Sequence, residues 1–147
     1  MQVLIIGLFF EMGGNKMYNY DMTVVNIDET QKMLDEIAEK LPKEFFKELN
    51  GGILLLPETK KSPHAKKNDL YILGEYVRNS SMGRMIYIYY GSFQRLFGHM
   101  EKEDFRMRLK DTLLHEFTHH LESLAGERGL EKKDEEKLAR YMQNKKI

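Results

Sequence analysis

Residues 115–120 read His-Glu-Phe-Thr-His-His, which sets His115 and His119 four apart with Glu116 beside the first. On a helix, positions four apart share a face, with Cβ atoms about 5–6 Å from one another. Two imidazoles so placed can each bring a nitrogen to about 2.0 Å from one zinc ion. Glu116 lies about 100° further round the helix, so it borders that point without having to occupy it. A carboxylate there can take a proton from a metal-bound water. The trio therefore points to zinc-assisted hydrolysis with one Zn²⁺ per chain, His115 and His119 as ligands and Glu116 as the catalytic general base.

Such a motif must sit on a helix with an apolar back. With His115 at zero and about 100° per residue, His119 falls near 40°, whereas Leu113, Leu114, Phe117, Leu121 and Leu124 fall between roughly 160° and 260°. The metal face and the core face are then opposite. His120, at about 140°, points away from the metal face, which suits packing or a surface hydrogen bond.

The elements that must position this helix follow from patterning. Asp28 is a candidate N-cap with Gln31 as its capping-box partner, and Met33, Leu34, Ile37, Ala38 and Leu41 follow at helical spacing until Pro42. Phe45, Phe46 and Leu49 predict a short second helix or turn. Residues 53–56 read as a buried strand, 57–68 as a lysine-rich loop, and 69–77 as a second strand. Residues 79–83 are turn material, and 85–90 (MIYIYY) form a third strand rich in aromatic and β-branched residues. Tyr87, Tyr89 and Tyr90 on it are expected to pack in the core and on the sheet. Residues 92–100 predict a short helix or a crossing loop. The motif helix spans 101–124 and is broken by Gly126 and Gly129, and 133–143 form a last helix. Helix, strands, then helices argue an α+β domain.

Composition limits the function classes. Lys+Arg and Asp+Glu are both 23, so nothing suggests the basic surface of a nucleic-acid binder. Cysteine is absent, so no thiol can bind metal or act as nucleophile, and a cytoplasmic location is expected. The apolar run 3–10 is too short to span a bilayer and lacks the positive start of a signal peptide, so no membrane partner is expected. Residues 1–22 are read as an extra strand or a leader with no assigned role, or as a stretch upstream of a natural start at Met17 or Met22. Residues 23–147 are read as one domain.

The chain also resembles a known family, the short bacterial-type zincin-like metallopeptidases. The similarity runs over residues 27–141 and rests on LPKEF at 41–45, GGILLLPE at 51–58, MIYIYYGSF at 85–93 and TLLHEFTHHLE at 112–122. It implies a single zincin-like domain: a small mixed sheet, the active-site helix and a following C-terminal helix. It also implies a zinc metallopeptidase acting on a peptide or protein substrate. The family pattern places a glycine three residues after the second histidine and an acidic ligand soon after, whereas this chain has Glu122 there. Catalytic zinc normally takes three protein ligands and a water. Asp134, following the Gly129 turn, is the favoured third ligand. Glu122 is next; it lies near −20° on the metal side but one turn beyond His119, where it can also serve an imidazole from behind. Glu131 and Glu135 stay open as well. An extended substrate is expected to pair with a sheet edge, with residues 85–90 as the candidate strand. Two alternatives stand beside hydrolysis: a non-catalytic zinc-binding protein on the same scaffold with a binding or regulatory role, and a structural domain whose histidines hold nothing.

Overall fold

The computed structural model describes residues 9–11, 24–63, 70–128 and 139–140. Helix α1 spans Ile27–Glu39, and its cap, Asn26, lies two residues before the expected Asp28. The Asn26 side chain accepts from the Glu29 amide at 2.8 Å, which satisfies one of the free N–H groups of the first turn. Asp28 then lies inside that turn, where its negative charge suits the positive end of the helix. Leu34 and Ile37 are buried on the inner face of α1, and Leu41 and Phe45 continue the core beyond it. Phe45 belongs to a single 3-10 turn, Lys43–Phe46, at the predicted second helix.

Three strands form the sheet beneath the motif: β2 (Gly52–Leu56), β5 (Gly74–Asn79) and β6 (Gly83–Tyr89). Their order is β2-β6-β5, with β2 parallel and β5 antiparallel to β6. The middle strand β6 is paired on both sides. The free edge expected of residues 85–90 is therefore taken, and β2 and β5 are the outer strands among the described residues. Because β2 is an outer strand it is only half-buried, with Leu54 38% exposed, rather than the buried strand its apolar run suggested.

A second small sheet joins β1 (Phe9–Glu11), β4 (Leu70–Ile72) and β3 (Lys60–Lys61), all antiparallel, with β4 in the centre. The strand expected over 69–77 is thus two strands. It divides at Leu73, whose carbonyl still accepts from the Tyr89 amide at 2.9 Å. β3 lies inside the segment read as loop, since two residues can pair through their backbones without any side-chain pattern.

Helix α2 (Tyr90–Phe97) follows β6 directly, and α3 (Lys102–Arg128) carries the motif. Gly126 does not end α3. A lone glycine costs a helix only about 1 kcal/mol relative to alanine, too little to stop a long one. Helix α3 buries Leu113, Leu114, Phe117, Leu121 and Leu124, the apolar stripe expected, and Phe105 and Leu109 extend it toward the start of the helix. It lies against β5, β6 and α1. Phe117 packs among Phe45 and Phe46, with ring centroids 6.1 and 5.1 Å away. Among the described residues, no helix is long and apolar enough to cross a membrane. The outcome is a mixed α+β arrangement, as the order of elements implied.

The chain just before β3 is held close against the start of α2. The Gly91 amide donates to the Glu58 carbonyl at 3.1 Å, and the Lys60 amide donates to the Ser92 hydroxyl at 3.0 Å. A Cβ at position 91 would meet the Thr59 hydroxyl and lie 2.6 Å from the Glu58 carbonyl carbon and the Thr59 amide nitrogen. Backbone there cannot step aside as a flexible side chain can. Gly91→Ala should therefore destabilise the fold by about 1–3 kcal/mol, read as a lower urea midpoint at unchanged slope.

Candidate metal centre

On α3 the two motif histidines turn their Nε2 atoms toward one another, 3.1 Å apart, with the rings nearly perpendicular at 85°. Two nitrogens on a tetrahedral zinc at about 2.0–2.1 Å would stand about 3.3 Å apart, so the pair is close to a ligating geometry as it is. Both residues are only partly buried, so solvent reaches them. Together with Glu116 they bring one ligating atom each within 4.8 Å of one another. Glu122 sits on the far side of His119, its Oε2 3.7 Å from Nδ1, whereas Nε2 faces His115.

Glu116 is fully buried, and neither of its carboxylate oxygens has a hydrogen-bond partner. Burial, and secondarily the nearby Glu75 carboxylate, pushes its pKa up to about 9. Its burial has a local cause. Thr112, Glu116 and His120 recur every fourth residue, and all three are buried. This row faces β5. A Cβ at Gly74 would lie 3.0 Å from Thr112 Cγ2 and 3.3 Å from Glu116 Cγ, so the missing side chain lets the helix settle onto the strand. Two residues on, the Tyr76 hydroxyl bonds His120 Nδ1 at 2.9 Å, and His120 Nε2 meets the Lys47 carbonyl at 2.8 Å. His120 thus turns away from the metal pair, as its angle on the helix implied, but its hydrogen bonds lie in the core rather than at the surface. Burial lowers its pKa, and burial likewise lowers that of His119, so both imidazoles favour the neutral form.

The sequence reading missed Glu75, which is 1% exposed. It pairs with Lys60 of β3, Nζ to Oε1 at 2.6 Å. The same ammonium lies 3.4 Å from the Tyr89 hydroxyl and 5.3 Å from the centre of the Tyr89 ring. Burial and the Glu75 carboxylate raise the Tyr89 pKa above its ordinary value. One signal was legible: Glu75 is the lone charge in the run LYILGEYV. Its partner was not, because Lys60 is one of four similar lysines in a polar stretch. The sequence reading placed Tyr87 and Tyr89 on the sheet without foreseeing this contact. Asp134, Glu131 and Glu135 lie outside the described residues, as does most of the predicted last helix; residues 139–140 of it are helical.

No family model matches the chain. No curated protein matches it either. Among solved structures it is similar to a conserved hypothetical protein from Thermo thermophilus, 32% identical with a TM-score of 0.58. The match covers 69% of this chain and 98% of that one. The chain belongs to the same family as that protein.

The raised pKa of Glu116 makes a prediction for the metal-free protein. An unfolded glutamate ionises near 4.5, whereas Glu116 in the fold holds its proton to about 9. Between those values the unfolded state releases a proton that the folded state retains, so stability falls as pH rises through the window. Glu116→Gln cannot ionise. In chelator-treated protein its Tm should exceed that of the wild type at pH 8, and the gap should close toward pH 4.5. A gap independent of pH would show that Glu116 is ionised in the fold.

Proposed function

We propose that the protein is a zinc-dependent metallopeptidase of the zincin-like type, as the resemblance of residues 27–141 implies. The observation that carries the proposal is the pair of Nε2 atoms 3.1 Å apart beside a buried, unpartnered Glu116 carboxylate. That carboxyl group is costly in a dry setting without a cation. The local charge balance supports the same reading. Glu75, whose charge acts on Glu116, is already paired with Lys60, and the Glu116 oxygens have no hydrogen-bond partner of their own.

In this reading His115 and His119 hold the metal through Nε2, with Asp134 as third ligand on the strength of the family pattern. Glu122, on the Nδ1 side of His119, orients that ring from behind. A bound zinc ion supplies a Lewis acid and a water acidic enough to lose its proton near neutral pH. Glu116 favours its ionised form once a divalent charge stands beside it, because the opposite charge offsets the burial that now keeps it protonated. It then accepts a proton at a carboxylate oxygen and returns it to the leaving amine. An extended peptide would pair with the outer edge of β5, the outer strand against which α3 packs, since β6 is interior.

Protein purified without an affinity tag should contain one zinc per chain by elemental analysis, and His115→Ala should lose it. Glu116→Gln should keep the zinc but cleave a peptide library about 10²–10⁴-fold more slowly. Equal cleavage by the two proteins would remove Glu116 from the chemistry. Zinc without cleavage by the wild type would leave a metal-binding protein that does not turn over.

A further inference from the structure

The two motif histidines meet because both lie on one turn of helix, so their mutual distance is set by α3 alone. Their position relative to anything on another element is not. A rotation of α3 by about 10° carries a ring nitrogen roughly 8 Å from the axis through about 1.4 Å, enough to spoil an alignment with groups outside the helix. The apolar residues Leu113, Leu114, Phe117 and Leu121 fix the depth of α3 in the core. Apolar contact is non-directional, however, and tolerates small rotations.

His120 supplies direction. It is fully buried, next to His119 in sequence and on the same turn as the metal pair. A carbonyl can only accept, so Nε2 carries the hydrogen and donates it to Lys47 O at 2.8 Å. Nδ1 is then bare and accepts from the Tyr76 hydroxyl at 2.9 Å. The Phe117 and Tyr76 rings stand 6.5 and 5.3 Å away, and both imidazole nitrogens have partners. One imidazole therefore ties the helix to two separate places, strand β5 through Tyr76 and the turn before β2 through Lys47. That turn is itself held firmly: Glu48, the next residue, has a φ of 59°, a left-handed conformation seldom adopted by glutamate. The Leu49 amide donates to the Phe46 carbonyl at 3.1 Å across it.

We propose that His120 is a positioning residue for the metal centre: its two hydrogen bonds fix the rotation of α3, and so aim the His115–His119 pair at the groups other elements bring to it. The proposal rests on the metal-centre reading above. It differs from a plain packing role because packing predicts a loss of stability alone. Fixed aim predicts a loss of metal affinity in molecules that remain folded.

The test is zinc affinity, measured by competition with a chromophoric chelator, on the full chain and on three variants: His120→Leu, His120→Gln and Tyr76→Phe. Circular dichroism establishes the folded fraction of each. His120→Leu should weaken zinc binding about tenfold or more, the scale on which supporting contacts act on metal sites. His120→Gln, whose amide can still donate to Lys47 O, should recover much of the affinity. Tyr76→Phe removes a single hydroxyl and should weaken binding severalfold. A folded His120→Leu with wild-type zinc affinity would overturn the proposal, whatever its Tm. If that variant does not fold, Tyr76→Phe decides, and unchanged affinity there is equally fatal. A wild type that binds no zinc sinks the metal-centre reading itself, and this proposal with it.

Discussion

The close approach of α3 to β5 at Gly74 governs the rest of the site. A Cβ at that position would stand 3.0 Å from Thr112 Cγ2, 3.2 Å from the Tyr87 carbonyl and 3.3 Å from Glu116 Cγ, so any larger residue would press the helix off the strand and glycine lets it rest at this depth. The approach turns a polar row of the helix, Thr112, Glu116 and His120, into an interface. Each member answers burial differently. Thr112 donates its hydroxyl to the Arg108 carbonyl of its own helix at 2.9 Å. His120 finds partners on both sides. Glu116 finds none, and burial drives it toward its protonated form.

Electrostatics follow from that packing. Unpaired charge in a dry interior costs several kcal/mol, so a carboxyl group without a partner keeps its proton. Glu75 escapes the same fate because Lys60 is brought to it at 2.6 Å. Lys60 is delivered by backbone, through the contacts of the 58–60 segment with Gly91 and Ser92. A glycine and a serine at the start of α2 thus determine where a lysine of β3 meets a glutamate of β5.

The three histidines of the motif show how one turn of helix assigns different work to one residue type. His115 and His119 remain partly open to solvent and face one another. His120 is turned about 100° from its neighbour and lies wholly inside, so its nitrogens serve the fold. The protein shares its family with a conserved hypothetical protein from Thermo thermophilus, a description that carries no activity. The case for hydrolysis therefore rests on this geometry and on the resemblance read from the motifs.

Local rules made part of this legible in advance. The helical period determined that His115 and His119 share a face, that Leu113, Phe117 and Leu121 oppose it, and that His120 turns away from it. The same patterning anticipated α1, the strand after Gly52, the aromatic strand and the α+β order. Long-range pairing lay beyond it. Which strand is central, where the 69–77 run divides, and that Lys60 pairs with Glu75 depend on contacts between residues far apart in the chain. The burial of Glu116 is of the same kind. A helical wheel places that carboxylate beside the metal face, but only the arrival of β5, with no side chain at Gly74, decides that water is excluded from it.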